Sequence, residues 1–65
     1  MIIQYKCSKR PEEELKEAIV KGHAGVLFRL KSTAMRAIRD IEELNLEFFI
    51  NETNGYSIVS WKLPQ

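Results

Sequence analysis

The residue of this sequence best equipped to act as a nucleophile is Cys7, the single cysteine. It closes an alternating run, Ile3-Gln4-Tyr5-Lys6-Cys7, and Ser8-Lys9-Arg10-Pro11 and then Glu12-Glu13-Glu14 follow it. The alternation predicts a strand. Proline suits the first helical position and acidic groups suit the positive end of the helix dipole, so the next segment predicts the opening turn of a helix. A thiol between the two meets free backbone N–H groups, the positive helix end and the cations Lys6, Lys9 and Arg10, all of which favour the thiolate. The implied chemistry is nucleophilic sulfur. The same alternation sets Cys7 in phase with Ile3 and Tyr5 on the inward face, where a free cysteine packs as a small hydrophobe.

The other chemistry-bearing residues point less far. His23 has no Asp, Asn or second His at a spacing that would orient it, and it reads as a solvated loop residue. Glu12, Glu13 and Glu14 are explained by the helix start, because no ligand of another type joins them. There is no Gly-rich phosphate loop and no Cys/His cluster with zinc spacing, so no cofactor or metal is expected.

A lone cysteine cannot close an internal disulfide, which points to a reducing compartment. Met1 to Lys6 lacks a cationic lead followed by an apolar run, and no stretch approaches the roughly 20 apolar residues of a membrane span. A cytoplasmic protein with no membrane partner is expected. Ten basic and nine acidic residues give a net charge of +1. That supplies no global field for nucleic acid, so such a partner would need a local patch. Apolar residues make up 45% of the chain and fall in periodic runs, which excludes disorder.

These residues need elements to hold them. Sixty-five residues leave room for one core, a single domain over 1–65. Helix one is expected from about Pro11 to Lys21, with Leu15, Ala18 and Ile19 on one face and with Glu12–Lys16 and Glu17–Lys21 as i,i+4 pairs; Gly22 and Gly25 end it. Val26, Phe28 and Leu30 alternate as strand two. Ser32 is the expected N-cap of a helix over 33–45, whose apolar stripe is Ala34, Ala37, Ile38, Ile41 and Leu44. Arg36–Asp40 and Arg39–Glu43 are its i,i+4 pairs.

Asn54-Gly55 is the pair favoured in a two-residue type I′ turn. That turn sets Thr53 against Tyr56 and, stepping outward, Glu47 against Lys62, while Leu46, Phe48, Ile50, Val59, Trp61 and Leu63 gather on the other face, with Pro64 closing the last strand. Trp61 is expected as a core anchor. Right-handed crossovers then give an α/β (α+β) two-layer sandwich of order β-α-β-α-β-β, a four-stranded mixed sheet with two helices on one face.

The outer sheet face carries Phe49, Ile58 and Leu27 among Gln4, Lys6, Arg29, Asn51 and Lys62. A protein partner or a homodimer would use this surface, with Phe49 and Ile58 as its apolar centre and Lys6, Lys9 and Arg10 beside Cys7. Lys31, Arg36 and Arg39 on helix 33–45, followed by the hairpin tip 51–56, offer a different use. This half of the chain is similar to the recognition helix and wing of a winged-helix DNA-binding domain. In that alternative the three cations contact nucleic acid; the segment before Ser32, however, alternates as a strand where that fold has another helix.

The whole order, with a cysteine where strand one meets helix one, resembles the small sulfur-carrier proteins of the SirA/TusA family. The resemblance includes Gly25-Val26-Leu27-Phe28 as a Gly-led second strand, Ile41 to Leu46 leading into strand three, and Glu52-Thr53-Asn54-Gly55-Tyr56-Ser57-Ile58 as the acidic, Gly-containing hairpin. The family's motif is Cys-Pro-x-Pro, in which the cysteine carries a persulfide and the prolines shape the loop. Here it reads Cys7-Ser8-Lys9-Arg10-Pro11, without the first proline and with the second one position late, and Gln4 stands where the family usually has glycine. The resemblance implies a carrier, not a small-molecule enzyme. Cys7 is its one functional residue, and a sulfur-donating desulfurase and a sulfur-accepting protein are its partners.

Overall fold

Pro11 opens helix α1, Pro11–Lys21, and the N–H groups of Glu13 and Glu14 both donate to the Arg10 carbonyl at 3.1 Å. Gly22 ends it in the left-handed region at φ 78. There the Gly22 N–H reaches the Ile19 carbonyl (3.2 Å) and the His23 N–H the Ala18 carbonyl (3.0 Å), the paired bonds of a Schellman cap that glycine makes without strain. The computed structural model that shows this describes residues 1–62. Leu63 and Pro64, expected on the last strand, lie outside the described residues.

The remaining elements are β1 (Ile2–Gln4), β2 (Gly25–Phe28), α2 (Lys31–Asp40), a single 3₁₀ turn (Glu42–Leu44), β3 (Glu47–Thr53) and β4 (Tyr56–Lys62). The sheet order is β1-β2-β4-β3. β1 and β2 are parallel, and β4 pairs antiparallel with β2 on one side and β3 on the other. The chain is thus a two-layer α+β sandwich on a four-stranded mixed sheet. Side chains alternate across a pleat, so Ile3, Val26, Phe28, Val59 and Ile50 share the helix-covered face.

The core between the layers is Leu15 and Ala18 from α1, Ala34 and Ala37 from α2, Ile41 just after it, and Val26, Phe28 and Val59 from the sheet, all fully buried. Ile3, Tyr5, Ile19, Ile38, Phe48, Ile50 and Trp61 pack around it half-buried. Trp61 is therefore a flank of the core and not its anchor. The largest fully buried side chain is Phe28.

The hairpin has the expected register: Asn54 (φ 51) and Gly55 (φ 81) make the turn, Thr53 faces Tyr56, Glu47 faces Lys62, and Phe48 faces Trp61. Gly25 does not end a helix. It opens β2, where an added Cβ would lie 2.8 Å from the Val59 carbonyl oxygen.

Helix α2 is displaced from its expected span at both ends. It starts at Lys31 with Leu30 at the N-cap, the Ala34 N–H donating to the Leu30 carbonyl at 3.2 Å, so Ser32 lies inside the first turn and caps nothing. A side-chain cap is worth about 1 kcal/mol, less than the packing of Ala34, Ala37 and Ile41 that fixes where the helix sits. At the other end the Ile41 N–H turns to Ile38, and Asn45 at φ 55 swings the chain back so that β3 begins at Glu47 and Phe48 lies on the sheet. Leu44 is left exposed. β2 likewise stops at Phe28, and Leu30 is 62% exposed.

Of the four expected i,i+4 pairs, Glu17–Lys21 forms at 2.6 Å. Glu12–Lys16, Arg36–Asp40 and Arg39–Glu43 are not among the ion pairs of the described residues. Instead Lys16 meets Glu43 at 3.5 Å across the helices, Lys31 meets Glu52 at 3.5 Å on the hairpin, and Lys9 meets Glu17.

Candidate functional site

β1 ends at Gln4, although the Tyr5 N–H still donates to the Leu27 carbonyl at 3.0 Å. Beyond Tyr5 the chain leaves the sheet, and the alternation that would point Cys7 inward is broken. Cys7 adopts φ 60, in the left-handed region, and its side chain is exposed. The expectation of a sulfur packed with Ile3 and Tyr5 is therefore corrected. Two constraints hold this bend. The Tyr5 ring packs on Phe28, centroids 5.2 Å apart and tilted by 42°, and its hydroxyl donates to the Lys9 carbonyl at 2.6 Å. Tyr5 thus closes the five-residue loop on itself and ties it to the largest core side chain.

Parallel pairing of β1 with β2 brings the carboxyl ends of both strands side by side, and a helix begins just beyond each. Cys7 lies where they converge. One cleft of about 310 Å³ is lined by Tyr5, Cys7, Arg29, Leu30 and Thr33. An adjoining one of about 350 Å³ is lined by Tyr5, Cys7, Pro11, Ser32, Thr33 and Arg36. The sulfur thus borders the first turns of α1 and α2, with Arg29 and Arg36 as the cations of the clefts.

These are not the cations expected from sequence neighbourhood. Lys9 is held by Glu17, and its ammonium is raised above its ordinary range by that hydrogen bond. Glu17 in turn is lowered to about 2 by hydrogen bonds from Lys21 and Lys9 and by their charges. Lys6 and Lys9 line a separate cleft of about 480 Å³ between β1 and α1, with Glu14, Glu17 and Lys21. That cleft is the larger, but Glu17 pairs with both Lys9 and Lys21 in it, and Cys7 is not among its lining residues. Arg10 is exposed at the helix start. The Tyr5 phenol is raised above its ordinary 10.0 by partial burial first, and next by the negative charge that Cys7, Glu12 and Glu14 carry when ionised.

No family model, no curated protein and no solved structure matches this chain.

The other candidate residues are dispersed. Phe49, 46% exposed, and half-buried Ile58 lie on the outer sheet face, Ile58 between Leu27 of β2 and Asn51 of β3. Lys31, Arg36 and Arg39 are exposed on α2, but Lys31 is paired with Glu52 and Arg36 turns toward the Cys7 cleft. The segment before α2 is strand β2, not a helix. His23 lines the cleft between β1 and α1, away from Cys7. Among the described residues no three His, Cys, Asp or Glu side chains gather as a metal site, and no helix is long and apolar enough to cross a membrane.

Tyr5, Arg29 and Thr33 are the site residues that local sequence patterns miss. The signal for them was topological: adjacent parallel strands joined by a right-handed crossover must place Arg29 and Leu30 beside Cys7.

Proposed function

We propose that this chain is a small sulfur carrier of SirA/TusA type in a reducing, cytoplasmic setting, with Cys7 as the persulfide-bearing residue and protein donors and acceptors as its partners. The observation that carries this reading is the outward placement of Cys7. Persulfide transfer requires access: the Cys7 thiolate attacks the terminal sulfur of a donor persulfide R–S–SH, that S–S bond breaks, the donor leaves as R–S⁻, and Cys7–S–SH results with no net oxidation. An acceptor thiolate then attacks the terminal sulfur in the same way. A sulfur in the core could do neither.

The geometry supports the reading in two further respects. The family's prolines shape its cysteine loop. Here the Tyr5–Lys9 hydrogen bond and the left-handed Cys7 do that work with other residues. Arg29, Arg36 and the start of α2 border Cys7, and such groups favour negative charge.

The test is direct. The folded protein is incubated with a cysteine desulfurase and cysteine, and its intact mass is followed. Gain of one sulfur atom on the parent, lost on adding a thiol reductant and absent in Cys7→Ser, is the expected result. No gain under conditions where the desulfurase persulfide itself forms overturns the reading.

A further inference from the structure

The two edges of the sheet are built differently. β1, at one edge, offers three residues. β3, at the other, offers seven, Glu47-Phe48-Phe49-Ile50-Asn51-Glu52-Thr53. Proteins blunt free edges with short strands, lysine, proline or a bulge. β1 is blunted by its length. β3 has no lysine, proline or glycine, pairs with β4 without a break from Glu47 to Thr53, and carries three apolar residues in succession.

Which backbone groups are free follows from the turn. In a two-residue hairpin the flanking residues Thr53 and Tyr56 exchange hydrogen bonds, so Thr53, Asn51, Phe49 and Glu47 direct their N–H and C=O groups to β4. Phe48, Ile50 and Glu52 direct theirs away from the sheet. We propose that this edge pairs antiparallel with β3 of a second copy of the chain, with Ile50 opposite Ile50 on the two-fold axis and Phe48 opposite Glu52.

The register is self-selecting. It is the one in which all three outward residues of each strand meet outward residues of the other, so six free backbone groups per chain are satisfied reciprocally, the isologous geometry of a two-fold dimer. Sliding by two residues in either direction leaves one of the three unmatched. Charge agrees with this alignment: Glu47 falls opposite Thr53 and Glu52 opposite Phe48, so no glutamate meets a glutamate. On the outer face Phe49 falls opposite Asn51 and diagonal to the second Phe49, within reach of an aromatic ring. Exposed Phe49 and half-buried Ile58 and Leu27 of the two copies then form one continuous surface. A seven-residue edge buries less than the roughly 1,200 Å² of a standard interface, so the dimer is weak and concentration-dependent. Cys7 lies toward the opposite edge, beyond β1, and stays open to a sulfur donor.

Sedimentation velocity over a concentration series and engineered cross-linking test this. In a Cys7→Ser background, Ile50→Cys should form a covalent dimer under mild oxidant at least about tenfold faster than Thr53→Cys, whose sulfurs the register keeps apart. Phe49→Lys, a change at an exposed position, should abolish association while circular dichroism stays unchanged. A parent chain that remains monomeric up to about 1 mM overturns the proposal. So does equal linking of Ile50→Cys and Thr53→Cys, as it would be if the outer face held the copies together in another register, or association that survives Phe49→Lys, as it would if another edge did.

Discussion

Cys7 has a backbone conformation that few side chains adopt freely. Holding a non-glycine residue in the left-handed region costs about 1–2 kcal/mol, and glycine escapes that cost while losing more chain entropy on folding. Cys7→Gly is therefore expected to match the parent in urea unfolding or exceed it by up to about 1 kcal/mol, and Cys7→Val to fall about 1–2 kcal/mol below it. The reverse order would mean that Cys7 continues the strand. Glu17 makes a second residue-scale prediction. Its carboxyl is about 2 in the folded chain against 4.5 ordinarily, because Lys21 and Lys9 hold the charged form. A depressed acid stabilises fully above its unfolded value and loses that contribution as pH falls through the folded one. The urea midpoint should decline between about pH 5 and pH 2, and Glu17→Gln should decline less; identical profiles would show that the exposed Lys9–Glu17–Lys21 cluster contributes nothing.

At the scale of elements, β2 and β4 approach closely at Gly25. Ala at position 25 would set its Cβ 2.8 Å from the Val59 carbonyl, backbone that cannot step aside, so Gly25→Ala should cost about 1–3 kcal/mol. A neutral substitution would show that the strands separate readily. The core gives a paired comparison: Phe28→Ala should cost about 3–5 kcal/mol, and half-buried Trp61→Ala about half as much. If Trp61 proves the more costly, the core is centred closer to the hairpin than its burial indicates. The same elements show what was legible in the sequence. Asn54-Gly55 fixed the hairpin register because positive φ at two successive residues is a local demand that few pairs meet. Pro11, with its fixed φ and missing N–H, and Gly22, with its positive φ, bounded α1 by equally local demands. Ser32 misled, since its capping preference is small beside the packing of Ala34, Ala37 and Ile41, and the apolar stripe continued to Leu44 although Asn45 had to turn the chain back to the sheet.

For the whole molecule, β-α-β-α-β-β follows from the alternation of periods along the chain, and the right-handed crossover places both helices on one face. What no local pattern reveals is which residues surround Cys7. Arg29, Thr33 and Arg36 lie 22 or more positions away in sequence and share clefts with Cys7 only because two parallel strands end together. The fold turns this sulfur outward, which is tested by the rate at which a thiol reagent labels the native chain at neutral pH, beside the rate for urea-unfolded chain. One equivalent should react at a rate independent of added stabilising osmolyte and comparable to the unfolded value. Labelling that slows in step with global stability would place Cys7 in the core and leave no sulfur for a donor to reach.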